Sequence, residues 1–322
     1  MKKLITSVIL LVIILTACFF IFNKNEDDTP TIRIMIGDGI SFAPLYVIKD
    51  LSLIEKYSPN AKIELTSNLS GTIMNESFIA NQVDIAAFSI STFATGLDKG
   101  IPYKIASPLA YTRYGLQTNN PNIKSLKDIG SNDKIAVSSL TGSTAIILKI
   151  ACEKEFGDAD ALKDNMVTMS ASEAELALIN RSSGISLHII SLPSILRENQ
   201  AGCPTIIDDV AILKERCAGT ITVATTDFVK KQPDLYNAYL SALEEAVTLI
   251  NNKDEQAIEI ISKSLTISKE EIIESLDSGN LSFSTSECNI LQITDFLYKT
   301  GEISTKIESL QDISFPNVAA EK

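Results

Sequence analysis

Strand-like and helix-like stretches alternate along most of this 322-residue chain, and that alternation limits the fold more than any other feature. Thr31–Ile36 sets Ile32, Ile34 and Ile36 on one face at a period of two. Runs with the length and β-branched character of strands follow at Lys62–Thr66, Val83–Phe88, Lys134–Ser138, Ser186–Ser191 and Thr220–Thr225. Helix patterns lie between them. Ile146–Phe156 opens after Gly142-Ser143 and closes at Gly157. Another opens at Pro233-Asp234, where Leu235, Tyr239, Ala242, Ala246, Val247 and Ile250 form an apolar stripe. Lys269–Leu276 starts behind Ser268 as N-cap, with Glu271 at the capping-box position. Alternation of this kind predicts parallel sheets in an α/β fold. Such sheets set ligands beyond the carboxyl ends of strands, where helices begin.

Four strand-to-helix turns are rich in Gly, Ser and Thr: Gly37–Pro44, Ser67–Thr72, Phe88–Thr92 and Ser139–Thr144. Each would present backbone N–H groups and hydroxyls at a helix start, which suits a small anion or polar ligand. The plainer reading of any single turn is a Ser or Thr N-cap. Four in one chain favour a shared cleft.

The chain begins Met1-Lys2-Lys3, continues apolar from Leu4 to Leu15, and reaches Leu15-Thr16-Ala17-Cys18. A short positive segment, an apolar run and small residues before one cysteine read as a lipoprotein signal over residues 1–18. Cys18 is then the lipidation site, and the body lies outside the cytoplasm, facing a periplasm or the cell exterior. Because Phe19–Phe22 prolongs the apolar run, an uncleaved anchor is the competing reading; a bilayer core takes about 20 residues. Either way the body sits on the same side of the membrane. Residues 19–30, polar from Asn23 onward, read as a linker.

A formal net charge of −12 argues against nucleic-acid partners, which need basic patches. Cys152, Cys203, Cys217 and Cys288 are too dispersed for close metal-ligand pairs. Cys203 and Cys217 could close a short loop in an oxidising compartment, and Cys152 reads as a small core residue. The single histidine, His188, excludes a multi-His metal centre. There is no G-x-S-x-G elbow, Walker loop or H-E-x-x-H. His188 lies in the apolar run Ile185–Ile190, so it reads equally as a hydrogen-bonding core or cleft-edge residue and as a base. Tyr46, Tyr103, Tyr111 and Tyr114 either line a cleft or pack. The expectation is a binding protein and no enzyme, with no metal and no cofactor.

Several segments carry a family resemblance in order along the chain. They are Ser41–Val47 with Asp50–Lys56, Ile79–Ala86, Ser125–Ile129 leading to Lys134–Val137, His188–Pro193, Thr225–Val229 with Gln232–Leu235, and Leu310–Pro316. Together the chain resembles the substrate-binding lipoproteins of nitrate/sulfonate/taurine ABC importers. The resemblance implies an α/β, two-lobed periplasmic-binding-protein-like fold of the second type. Each lobe would be a mainly parallel sheet flanked by helices, with the ligand cleft between lobes that close by hinge motion. Lobe 1 is expected at 31–114 and 222–322, and lobe 2 at 115–221, with the first crossing at Tyr111–Gln117.

On this reading, lobe 1 contributes ligand contacts from Ser41, Phe42, Ser70, Gly71, Thr72, Ser89 and Ser91. Lobe 2 contributes Thr141, Gly142, Ser143 and His188. No Arg lies inside the four turns. An oxyanion would be held by helix starts and hydroxyls, or by Arg113 or Arg181 reaching in. The expected partners are a small ligand (a sulfonate, nitrate, taurine or similar), an ABC permease with its ATPase, and the membrane through the lipid. The protein itself is expected to be a monomer. A thiamine-precursor-like pyrimidine or other neutral or zwitterionic heterocycle is the alternative ligand, and an enzyme of related fold the alternative function.

Overall fold

A computed structural model describes residues 29–319, apart from 38, 69, 182–183, 215–218 and 287–289. The signal with Cys18 lies outside the described residues, as does Cys217, one half of the expected cysteine pair. Cys203 is buried.

Two sheets organise the chain. The first holds β1 (Thr31–Ile36), β2 (Lys62–Ser67), β3 (Ile85–Ser89), β4 (Tyr103–Thr112), β10 (Thr220–Thr225) and β11 (Leu281–Phe283), in the order β11-β4-β10-β3-β1-β2. The second holds β5 (Tyr114–Thr118), β6 (Lys134–Val137), β7 (Met166–Thr168), β8 (Ile185–Ser191) and β9 (Thr205–Asp208), in the order β7-β6-β8-β5-β9. β1 is parallel to β2 and β3, and β6 is parallel to β7 and β8. One interior strand is reversed in each sheet. β10 is antiparallel to β3 and β4, and β5 to β8 and β9. Each of these two interior strands is the one that has just arrived from the other sheet, while β11, at the edge, is also antiparallel to β4. β5 follows β4 after Arg113 alone, and β10 follows β9 through a short helix and residues 214–219.

The principal helices are α1 (Ala43–Asp50), α2 (Gly71–Ile79), α3 (Ile90–Asp98), α4 (Ser143–Phe156), α5 (Ala171–Ile179), α6 (Ser194–Gln200), α7 (Asp209–Leu213), α8 (Pro233–Asn251), α9 (Lys269–Asp277) and α10 (Leu291–Lys299). Helices cover both sheets, so the fold is α/β, with parallel and antiparallel pairings mixed in each sheet rather than mainly parallel layers. The stripe expected on α8 is the face that packs: Leu235, Tyr239, Ala242, Ala246, Val247 and Ile250 are all buried. They share one core with Ile32, Ile34 and Ile36 of β1 and with Leu45 and Ile48 of α1. Each large side chain so buried stabilises by roughly 1.5–3 kcal/mol. The capping box of α9 forms in both directions: Ser268 Oγ accepts from the Glu271 N–H at 3.2 Å, and the Ser268 N–H donates to Glu271 Oε2 at 3.1 Å. α4 starts earlier than its apolar pattern, at Ser143, because extended Gly142 (φ −81, ψ 170) takes the N-cap position. Among the described residues no helix is long and apolar enough to cross a membrane.

Candidate functional site

Three of the four hydroxyl-rich turns meet where the two sheets face each other. Ser70 caps α2, its Oγ accepting from the Ile73 N–H at 3.4 Å. Ser89 caps α3, accepting from the Thr92 N–H at 3.3 Å. The two helix starts touch at Gly71, where an added Cβ would lie 2.6 Å from Thr92 Oγ1. Ser89 Oγ is also 3.0 Å from both Ser91 Oγ and Thr92 Oγ1. Ser91 Oγ then donates to the Thr141 carbonyl at 3.2 Å, and the Thr141 N–H donates to Ser139 Oγ at 3.3 Å. A chain of polar contacts therefore runs from the helix starts beside the first sheet to the β6–α4 turn beside the second.

Replacing Gly71 with alanine is expected to destabilise the protein by about 1–2 kcal/mol, because the methyl group enters the space of Thr92. Adding Thr92→Ala should recover most of that loss. Denaturant unfolding of the single and double variants checks it; additive losses would show that the two helix starts do not press on each other.

Next to this chain lies a pocket with about 360 Å³ of space between atoms, part of it open to solvent. Ile90, Ser91 and Ile293 line it from the first sheet's helices. Tyr114, Ser143, Ile146, Ile147, Asp209 and Leu213 line it from the second sheet and its helices, and Gly219 from the returning segment. Gly142 makes no side-chain cap bond to α4, so the first N–H groups of that helix, where Ser143 lines the pocket, have no side-chain partner. Such a helix start favours an acceptor or an anion.

The nominated residues divide by position. Ser91 and Ser143 line the pocket; Ser89, Thr141 and Gly142 adjoin them, and Ser70 with Gly71 stands behind Thr92. Thr72 is exposed on α2 and does not line it. Ser41 and Phe42 form a single 3-10 turn away from the pocket lining. Phe42 is a core residue, its ring tip 2.6 Å from where a Cβ on Gly37 would sit. His188 is not brought to the pocket either. Both faces of β8 are covered by helices, and His188 is 1% exposed, its Nδ1 2.6 Å from Glu198 Oε1 of α6. Tyr103 is likewise a core residue, donating within 3.0 Å to Asn75 Oδ1 and the Phe93 carbonyl. Arg113 is tied at the crossing, paired with Asp208 and donating to Asn280 Oδ1 at 3.2 Å.

Asp209 is the site residue that the sequence did not mark. It is 2% exposed, and its Oδ1 accepts from the Tyr114 N–H at 3.1 Å. Burial pushes its carboxyl up to about 6, Asp208 adds to the rise, and hydrogen bonds from the Tyr114 N–H and Tyr111 oppose it. Ion pairs outside the pocket tie the two sides. Lys149 of α4 meets Glu302 at 2.7 Å. Arg197 of α6 holds Glu175 of α5 at 2.7 Å and Glu271 of α9 at 3.1 Å. Such half-exposed pairs fix geometry more than they add stability. Among the described residues no group of three or more His, Cys, Asp or Glu is placed to hold a metal ion.

This architecture is the periplasmic-binding-protein fold. It is shared with a Candida albicans protein described as having the generic form of that fold, which is 13% identical with a TM-score of 0.67, over 91% of this chain and 98% of that one. The periplasmic aliphatic sulphonate-binding protein SsuA of Escherichia coli superposes with a TM-score of 0.70 at 18% identity, covering 91% of this chain and 94% of its own. The ligand-binding component of an ABC-type import system from Staphylococcus aureus, solved with zinc bound, gives 0.69 at 15% identity, covering 91% and 98%. No family model matches the sequence, and no curated relative does.

Proposed function

We propose that the chain is an extracytoplasmic solute-binding lipoprotein that captures a small polar ligand for an ABC importer. The observation that carries this reading is the pocket between the two sheets, lined from both sides and bridged by the Ser91–Thr141 hydrogen bond. Solved proteins of the same fold that bind sulfonates or serve ABC import support it. We take 31–114 with 222–322 as one lobe and 115–221 as the other, closing on the ligand about the crossings at Arg113 and near Thr220–Thr225. Thr141, Gly142 and Ser143 would hold the oxygen-rich end of the ligand at the start of α4, and Ser89 and Ser91 would face them from the start of α3. A lipid on Cys18 and the linker 19–30 would keep this monomeric trap beside its permease, raising its effective concentration there. His188, the one histidine, is sealed against Glu198 away from the pocket, which favours binding over catalysis.

The full chain, purified without denaturation, is expected to retain a small molecule visible by native mass spectrometry. Removing that molecule should lower the melting temperature. Titrating sulfonates, nitrate, taurine and pyrimidines should restore it, with about 2.7 kcal/mol of stabilisation at a hundredfold excess over Kd. A chain that retains nothing and is stabilised by no member of the panel would overturn the solute-binding reading.

A further inference from the structure

Asp209 is the one carboxyl that lines the pocket among the described residues, and it stands on α7, between β9 and the returning β10. Its surroundings have two origins. Hydrogen bonds reach it from the first crossing: the Tyr114 N–H donates to Oδ1 at 3.1 Å, and the Tyr111 side chain donates as well. Part of the apolar wall comes instead from the first sheet's helices, with Ile90 on α3 and Ile293 on α10. α10 is also tied to the far end of α7, where Gln292 Nε2 donates to the Leu213 carbonyl at 3.2 Å.

Few charged or titratable groups face Asp209. Asp208 precedes it and pairs with Arg113 of the crossing. Tyr111 and Tyr114 reach it from β4 and β5. On α4, Ser143, Ile146 and Ile147 form the wall, and Lys154 donates to the Ile212 carbonyl at the other end of α7. α3 and α10 bring Ile90, Ser91 and Ile293 to the pocket, none of them ionisable. Burial is the main reason that the Asp209 carboxyl stands at about 6 rather than 3.8; Asp208 adds to the rise and the bonds from Tyr114 and Tyr111 oppose it. If the two sides separate, Ile90 and Ile293 leave and water enters. The bonds from Tyr111 and Tyr114 come from the crossing about which the sides turn, so they remain. Opening thus removes what favours the proton and keeps what favours the charge.

We propose that closing the pocket takes up a proton at Asp209, so that acid holds the trap shut and neutral pH eases it open. The proposal rests on the solute-binding reading above for the hinge motion, and adds the condition under which a solute is let go. The closed form binds the proton more tightly than the open form. Closure is therefore favoured at low pH, and that advantage is lost as pH rises through about 6.

Amide hydrogen exchange of the ligand-free full chain, corrected for the intrinsic pH dependence of exchange, reads the open fraction. Protection of the two pocket walls, α3 and α4, is expected to fall about tenfold between pH 5 and pH 7.5. About 1 M urea should hardly change that protection, which marks local opening rather than global unfolding. In Asp209→Asn, which cannot titrate, the fall should be less than about threefold. In Asp208→Asn, which keeps an N-cap acceptor for α7, the fall should begin at lower pH, because the like charge that raises Asp209 is gone. Wild-type protection that is flat or rises with pH, an equal fall in Asp209→Asn, or a fall that steepens with urea overturns the proposal. Retention of a solute from cells is a separate measurement. A chain that retains a solute but shows flat exchange overturns proton-linked closure and leaves the solute-binding reading standing. A chain that retains nothing, yet shows the Asp209-dependent fall, supports the closure and counts against the solute.

Discussion

Glu198→Ala is expected to cost about 3 kcal/mol of folding stability, because it empties buried volume and strips the buried His188 of its hydrogen-bond partner. Glu198 is 0% exposed and His188 1% exposed, and they meet at 2.6 Å inside the second sheet's helix cover. Burial holds the Glu198 carboxyl above its ordinary range, against the pull of His188. Glu198 Oε2 already lacks a partner, as does Oε1 of Gln117, which pairs across from His188 in the β5–β8 ladder. Truncating Glu198 therefore leaves the imidazole in a cavity with no water and no acceptor. Replacing both members by apolar residues, His188→Leu with Glu198→Met, should recover most of the loss, since it removes the desolvated polar atoms altogether. Urea unfolding of the three proteins measures it. Ligand affinity should hardly change, because neither residue lines the pocket. A loss below about 1 kcal/mol for Glu198→Ala would mean that the site relaxes to admit water, and the pair would not be a structural tie.

The parts of this fold that were legible in the sequence are those whose neighbours are local or periodic. Ile32, Ile34 and Ile36 announce a half-buried strand by alternation, and Leu235 to Ile250 announce a helix face by spacing. β4 and β5 were not read as strands, for a physical reason. β4 is buried along nearly its whole length, so it has no alternation, and Pro108 interrupts it where its register with β10 shifts. In the site, the hydroxyl turns were readable because a helix start needs an N-cap whatever else it does. The same local need hid Asp209. Asp208 is the N-cap of α7, accepting from the Ala211 N–H at 2.8 Å, so Asp208-Asp209 reads as an ordinary helix start. Ile293 reaches the pocket only through the packing of α10, far along the chain, and leaves no local trace. His188 misled because an apolar strand with one polar residue looks the same whether that residue faces a cleft or a buried carboxylate.

Asp209→Asn is expected to stabilise the ligand-free protein by about 2 kcal/mol at pH 7.5 and to lose that advantage as the pH falls through 6. Burial moves this carboxyl from its ordinary 3.8 to about 6. A raised value means that the folded protein holds the proton more tightly than the unfolded chain does. The group therefore favours folding fully below pH 3.8, and that contribution is lost as pH rises through about 6. Above 6 the folded protein carries a buried anion. At about 1.4 kcal/mol per pH unit the full cost approaches 3 kcal/mol, and relaxation around the pocket lowers it toward 2. Asparagine keeps an acceptor for the Tyr114 N–H and removes the charge. Urea unfolding of both proteins from pH 4.5 to 8 gives the difference. Glu175 and Glu271 run the opposite way: against the upward push of burial, hydrogen bonds from Arg197 hold Glu175, and from Ser268 and Arg197 hold Glu271, below the ordinary range, but both groups are common to the two proteins and cancel. A difference that stays constant with pH, or grows as pH falls, would count against a charged Asp209 in the pocket.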